Sequence, residues 1–376
     1  MKILLVGEYS NVHATLAEGF RALGHEATVL SNGDFWKNYP RDINLERTNT
    51  KLGGILYILR LISLLPKLRG YDVVQLISPM FLELKAERIM PVFRYLKRHN
   101  KKVFLGATGI DWYWVNTCLN EKPLRYSDYN IGHEIRQTRD AIKDRETWIG
   151  TYRAEMNQQM AADCDGITAV LYEYWVCYHR ALPEKTRYIP LPIKMPEETD
   201  AAATTAPQQG KVKLFIGINK TRSEYKGTDI MLKAAEDILK KYPERVELKK
   251  AISVPFHEYQ KMMNGCDAIL DQLYSYTPSM NSLLAMSKGI VVIGGGEEEH
   301  YELLGEKELR PIINVQPNYD SVYRELELLV LHPERLPELK RQSIEYVRRY
   351  YDYLKVAQQY LDFYLSAPTT EKAGTR

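Results

Sequence analysis

The sequence has no Cys-x-x-Cys pair. Its four cysteines, Cys118, Cys164, Cys177 and Cys266, are spaced too widely for a zinc site or a disulfide framework, so no metal is expected. Long apolar runs are lacking too. The most apolar stretch, Leu52–Leu65, is interrupted by Arg60, closed by Pro66 and falls short of the ~20 residues that cross a bilayer. The opening segment MKILLVGEYS meets a glycine before it reaches the apolar length of a signal peptide, so it reads as a first strand rather than a targeting segment, while the cysteine pattern suits a reducing cytoplasm. Charge of one sign is scarce as well: a net +3 over 376 residues is too little for a nucleic-acid partner.

What the chain does have is alternation. Apolar runs at Lys2–Val6, Glu26–Leu30, Val73–Ile77, Lys102–Leu105 and Gly166–Ala169 read as buried strands separated by helical patterns, the signature of parallel βαβ units. The stretch PIKMPEETDAAATTAPQQG breaks the pattern as a linker or long loop. Alternation restarts with strands at Val212–Ile218, Glu247–Ile252, Ala268–Leu273, Ile290–Ile293 and Pro311–Val315, with helices at Asp229–Lys241, His257–Asn264, Thr277–Lys288 and Glu297–Leu304. The expected fold is α/β: two Rossmann-like doubly wound domains facing a cleft. The first covers residues 1–191, the linker 192–210 and the second domain 211–350; a last helix and tail, 351–376, complete the chain, the helix crossing back to the first domain.

In open α/β sheets ligands bind beyond the carboxyl ends of the strands. In the second domain that edge carries GINKTRSEYKG, from Gly217 to Gly227, where Arg222 and Lys226, with Lys220 nearby, bring cations to the mouth of a strand-to-helix turn. A diphosphate takes charge-assisted contacts there, while a solvated basic loop is the plainer reading. A second turn, YTPSMNSLLAMSKG, offers Thr277 as N-cap, Pro278 at the first helical position and the N–H groups of Ser279, Met280 and Asn281 toward an anion. Gly294, Gly295 and Gly296 allow close backbone approach ahead of Glu297, Glu298 and Glu299.

These segments, with FRALGHEATVL near the start, VPFHEYQKMMNGCDAILDQL and LLAMSKGIVVIGGGEEE later, resemble in order and spacing the GT-B glycosyltransferases, in particular the large retaining family four. The resemblance implies that Arg222 and Lys226 hold a donor diphosphate, that the region from Val254 to Tyr259 lies near the base, and that Asp271, Gln272 and the turn before the 277–288 helix lie near ribose and phosphate. It also implies a departure. Where the family carries two glutamates with seven residues between them, this chain has Tyr276 and Leu284, which puts the ribose contact and the stereochemical outcome in question; Glu297–Glu299 stand nearby as substitutes.

On the acceptor side, GATGIDWYW places Asp111 after a strand, as a base for an acceptor hydroxyl or as a helix N-cap. His13, in the first turn beside Glu8, Ser10 and Asn11, is a second base or a helix-capping residue. Trp112, Tyr113 and Trp114 suit sugar rings or a core. Basic residues gather at Arg94, Lys97, Arg98, Lys101 and Lys102, and around the apolar stretch at Arg60, Lys67 and Arg69, which suits peripheral contact with the inner face of a membrane or, more plainly, a solvated edge. The expected activity is sugar transfer from a nucleotide-diphosphate donor to a glycan or lipid-linked acceptor, with no cofactor beyond the donor. A non-catalytic sugar- or nucleotide-binding protein and a nucleotide-sugar epimerase or hydrolase are the alternatives.

Overall fold

The computed structural model describes residues 1–48, 50–196 and 210–368, so most of the expected linker and polar tail lies outside the described residues. The chain forms two units. Unit 1 comprises Met1–Pro123, Asp144–Pro192 and Tyr353–Arg376; unit 2 comprises Leu124–Lys143 and Ile193–Asp352. Residues 124–143, grouped with the first half on sequence, thus belong to unit 2.

In unit 1 the apolar runs become strands buried on both faces, as parallel sheets require. Strands β1 (Lys2–Val6), β2 (Glu26–Ser31), β3 (Ile43–Asn44), β4 (Val73–Leu76), β5 (Lys102–Ala107), β8 (Gly166–Ala169) and β9 (Thr186–Tyr188) form one parallel sheet in the order β3-β2-β1-β4-β5-β8-β9. Its helices are α1 (Val12–Ala22), α2 (Lys51–Leu64), α3 (Ala86–His99), α4 (Trp112–Asn120), α6 (Tyr152–Asp163) and α7 (Tyr172–Ala181); the chain returns from unit 2 within α5 (Arg139–Trp148). The last helix, α15 (Tyr353–Ser366), crosses α1 at Gly19, where an added Cβ would lie 2.8 Å from both the Tyr353 carbonyl and the Ala357 side chain. Tyr360 and Tyr364 of α15 pack on Phe20 and Phe104 in the core beneath.

Unit 2 has a five-stranded parallel sheet, β11-β10-β12-β13-β14, from β10 (Val212–Ile218), β11 (Val246–Ile252), β12 (Ala268–Leu270), β13 (Val291–Gly294) and β14 (Ile313–Asn314). Its helices are α8 (Ser223–Lys226), α9 (Thr228–Lys241), α10 (Phe256–Met263), α11 (Met280–Ser287), α12 (Glu298–Leu304), α13 (Tyr319–Leu331) and α14 (Leu336–Tyr350). An antiparallel pair, β6 (Asn130–Ile131) with β7 (Glu134–Ile135), lies in the 124–143 segment. Strand β10 has β11 on one side and β12 on the other, so the strand order reverses between β10 and β12. That reversal point is where a doubly wound sheet opens a binding crevice.

One device recurs in both sheets. Asp72, Asp165 and Asp267 each stand one residue before a strand, and each carboxylate accepts the N–H of the neighbouring strand's residue: Lys2 at 2.7 Å, Val103 at 2.6 Å and Lys213 at 2.8 Å. A lysine then pairs with each, Lys101, Lys97 and Lys340 respectively. Lys102 donates to the carbonyls of Tyr364 and Ala367 at the end of α15. Three members of the basic cluster read from sequence are therefore engaged by their own unit, and Arg94, Arg98 and Lys101 are its exposed members.

Candidate functional site

The turn after β10 carries the expected cations. Asn219 Oδ1 accepts from the Thr221 N–H and hydroxyl, and the Arg222 N–H donates to the Asn219 carbonyl, which folds the loop tightly into α8. The Arg222 guanidinium lies 4.7 Å from the Tyr225 ring, and its Nε is buried with no hydrogen-bond partner among the described residues. A buried donor left unmade is costly, so the arrangement suits an acceptor supplied from outside the chain. Lys226, half-buried, closes α8, and its carbonyl accepts the Leu273 N–H from the loop after β12. This bond ties together the two turns on either side of the reversal point. Gly227, with φ +73°, lets the chain enter α9 while packing against Leu273. Gly217 is used differently: its missing side chain leaves room for the Tyr259 ring, which also stacks edge-on with Phe215. Tyr259 is held by burial well above the usual tyrosine range, and Val254 is half-buried just before α10.

The second turn departs from expectation. The helix expected from Thr277 begins at Met280, with Ser279 at the N-cap, and the strand expected to reach Leu273 stops at Leu270. The reason is Asp271. Its Oδ2 accepts the hydroxyls of Ser279 at 2.9 Å and Ser282 at 2.5 Å, which pulls the helix start toward the strand end. Thr277 sits in the preceding loop, where the Ser275 hydroxyl donates to its carbonyl. The first-turn N–H groups of α11, Met280 and Asn281 among them, lack intrahelical acceptors by helix geometry. Gln272 is half-buried, two residues beyond the end of β12. The three glycines serve the chain itself: a Cβ at Gly295 would lie 1.8 Å from the Ser275 carbonyl oxygen, one at Gly296 2.7 Å from Ile312, and one at Gly294 3.2 Å from the Gln272 carbonyl oxygen.

At the two positions where glutamates were expected, Tyr276 is buried and Leu284 partly so. The Tyr276 hydroxyl accepts the Arg125 N–H at 2.7 Å. Glu297 accepts from Tyr126 Oη at 2.5 Å, Gln316 Nε2 at 2.8 Å and Arg125 at 2.5 Å; Arg125 also pairs with Glu299. Burial alone would raise the Glu297 carboxyl, but these donors hold it below its usual value. Arg136 reaches α8: it donates to the carbonyls of Glu224 and Tyr225 and to those of Ser127 and Asp128, with its guanidinium 3.3 Å from the Tyr274 ring centre. Sequence reading missed this whole segment. Its available signal was the tyrosine- and arginine-rich RYSDYNIGHEIR with a turn at Gly132.

In unit 1, Glu8 takes the place expected of a helix cap. Its two carboxyl oxygens accept the N–H groups of His13 and Ala14, at 3.2 and 2.8 Å, while Ser10 and Asn11 adopt positive φ to make the turn. Burial pushes the Glu8 carboxyl up to about 8. His13 Nδ1 lies 2.8 Å from the Gly7 carbonyl, which can only accept, so Nδ1 carries the proton; burial lowers the ring to about 4 and keeps it neutral. Asp111 is the N-cap of α4. Its oxygens accept the Trp114 N–H at 2.9 Å and the Tyr178 hydroxyl at 2.7 Å, deep in the unit, and burial raises the carboxyl to about 6. Tyr113 and Trp114 are core residues beside it. A cavity of about 210 Å³ opens instead beyond β1 and β2, with Glu8, Leu30, Leu45, Tyr57, Leu82 and Glu83 in its wall. Glu83 Oε2 is buried without a partner among the described residues, and burial raises its carboxyl.

No family model and no curated protein matches the sequence. Solved structures do match it. HepE of Anabaena, crystallised with UDP and glucose, matches with a TM-score of 0.56 at 12% identity, over 97% of this chain and 100% of its own. Sucrose-phosphate synthase of Thermosynechococcus elongatus gives 0.59 at 12% identity, over 97% and 98%. A glycosyltransferase of Rickettsia africae gives 0.55 at 12% identity, over 96% and 97%. The fold is GT-B. At this identity the likeness is one of fold, and it spans both units. Among the described residues no group of His, Cys, Asp or Glu is disposed to hold a metal ion, and no helix is long and apolar enough to cross a membrane.

Proposed function

We propose that this protein is a metal-independent glycosyltransferase that moves a sugar from a nucleotide-diphosphate donor to a glycan or lipid-linked acceptor, in the assembly of a cell-surface glycan. The observation that carries the reading is the cationic turn after β10: a buried Arg222 Nε awaiting an acceptor, Lys226 beside it, both at the strand-order reversal of a GT-B unit. HepE, of the same fold, has been crystallised with UDP-glucose.

On this reading Arg222, Lys226 and the α11 N-terminus stabilise charge as the nucleotide diphosphate departs. Ser279, Met280, Asn281 and Gln272 line the phosphate and ribose end. Val254 and Tyr259 flank the base, with Gly217 making room for the Tyr259 ring. Tyr276 walls the sugar end. The acceptor belongs to unit 1, where Glu8 and Glu83 bring carboxyl groups to the cavity. His13 supports the Glu8 turn from behind. The protein works at the cytoplasmic side of a membrane, with the basic helices of unit 1 in peripheral contact.

A panel of nucleoside diphosphates, read by thermal shift, tests the donor assignment, because a ligand of the folded state raises apparent stability. At least one is expected to stabilise the protein. Arg222→Ala and Lys226→Ala are each expected to weaken its affinity about tenfold or more, the scale of one charge-assisted hydrogen bond. Unaltered affinity in both variants, or no stabilising diphosphate at all, overturns the assignment.

The paired glutamates replaced by Tyr276 and Leu284, and the engagement of Glu297 and Glu299 by Arg125 and Tyr126, favour a second reading: a GT-B protein that binds nucleotide sugar without transferring it. Donor affinity without product across glycan and lipid-linked acceptors selects that one.

A further inference from the structure

The helix α2 is built the wrong way round for a soluble surface. Leu52, Ile55, Leu56, Leu59 and Ile62, at helical spacings of three and four, lie along one face and are 56–73% exposed. Contiguous apolar faces of this kind mark an interaction site. From Arg47 to Tyr71 the chain carries Arg47, Lys51, Arg60, Lys67 and Arg69 and no acidic residue. Arg60, Lys67 and Arg69 are exposed at the edge and end of the stripe, and Tyr95 of α3 donates to the Leu65 carbonyl, which places α3 with its exposed Arg94 and Arg98 alongside.

We propose that α2 docks on an anionic lipid bilayer, with the leucine–isoleucine stripe set between headgroups and acyl chains and the arginines and lysines against the lipid phosphates. The charge pattern selects this occupant. A second copy of the chain apposed through α2 would bring one cationic rim against another with no carboxylate in the segment to relieve it, whereas anionic lipid neutralises the rim. A helix of this length, 14 residues or about 21 Å, lies along a membrane rather than through it. The opposite face of α2 gives the docking a use. Tyr57 is buried there, accepts the Glu83 N–H at 3.1 Å and forms part of the cavity wall. One helix thus has lipid on one side and the cavity on the other, so an acceptor carried in the bilayer is delivered to the cavity beside it. That delivery rests on the transfer reading above; the docking does not.

Vesicle co-sedimentation of the full chain tests it, comparing phosphatidylcholine vesicles with vesicles containing phosphatidylglycerol. Binding is expected to the anionic vesicles and to fall at least about tenfold for Leu56→Asp/Leu59→Asp, with the melting temperature unchanged because both side chains are exposed. Arg60→Glu/Lys67→Glu is expected to lose the preference for anionic lipid. No vesicle binding by the wild type, or binding that both variants retain, overturns the proposal. So does a lipid-free dimer in sedimentation equilibrium that Leu56→Asp/Leu59→Asp converts to monomer, since a second copy would then be the occupant. Nucleoside diphosphate affinity measured on the same variants separates the two readings: vesicle binding lost with donor affinity intact concerns α2 alone.

Discussion

The first strand-to-helix turn of each unit meets the same physical demand. A parallel strand ends, a helix begins, and the helix N–H groups at its start need acceptors. After β1 the chain supplies its own: Glu8 folds back and takes the N–H groups of His13 and Ala14. After β10 it supplies cations instead, and Arg222 keeps a buried Nε without a partner among the described residues. The two turns occupy matching places in matching folds, but only the second is charged: burial holds the Glu8 carboxyl protonated up to about pH 8, whereas Arg222 and Lys226 are cations. An internal carboxyl closes the first to anions; the second is left open to one. Topology therefore marks both turns as candidate sites, and chemistry separates them.

The largest expected effect that probes this contrast comes from Glu8→Gln. The carboxyl titrates near 4.5 when unfolded and near 8 when folded. Between those values the folded protein keeps a proton that the unfolded chain has released, so this group's contribution is fully present below 4.5 and is lost as pH rises through 8. At roughly 1.4 kcal/mol per unit, the loss across the window is on the order of several kcal/mol. Glutamine lacks the titration. The melting temperature of Glu8→Gln relative to wild type is expected to rise from about pH 5 to about pH 8. A pH-independent difference would mean that Glu8 is not the buried cap of this turn.

Arg136→Ala probes the open turn at the next scale down. Arg136 joins four carbonyls, two of them in α8, and packs on Tyr274. Its loss is expected to cost about 2–3 kcal/mol of stability in denaturant titration and to weaken nucleoside diphosphate affinity several-fold, because α8 carries Arg222 and Lys226 at its ends. Arg136→Lys should rescue little, since an ammonium cannot reach four carbonyls from one plane. Normal donor affinity at normal stability would free α8 from the segment 124–143.

What was legible in the sequence follows the same division between local and distant causes. Strands such as Lys2–Val6 and Val212–Ile218 were readable to the residue, because burial on both faces writes itself as a continuous apolar run. The cations of the β10 turn were readable because spacing from the strand fixes their place. The start of α11 was not: Pro278 and Thr277 offer good local capping chemistry, and the Asp271 carboxylate, several residues away, overrides it. The glycine run misled for a similar reason, since the group that needs its space is the Ser275 carbonyl. The segment 124–143 was illegible as part of unit 2. Its partners, Glu297 and the carbonyls of α8, lie some 90 to 170 residues further along the chain.

The smallest expected effect decides between two readings of one aspartate. The segment GATGIDWYW suggests a base at Asp111, and the structure caps α4 with it and joins it to Tyr178 and Asn157. Asparagine is as good an N-cap as aspartate, and its carbonyl can keep the Trp114 N–H. The amide would turn a donor toward Tyr178 Oη, which already accepts from Asn157, so a cost of about 1 kcal/mol is expected from that contact. Relative to wild type, this cost should shrink as pH rises from 3.8 through about 6, where the buried Asp111 carboxyl loses its own contribution. Transfer activity, in contrast, is expected to change less than about twofold, where removal of a general base costs about a hundredfold or more. A loss on that larger scale with stability preserved would return Asp111 to the chemistry and leave the cavity carboxyls of Glu8 and Glu83 as bystanders.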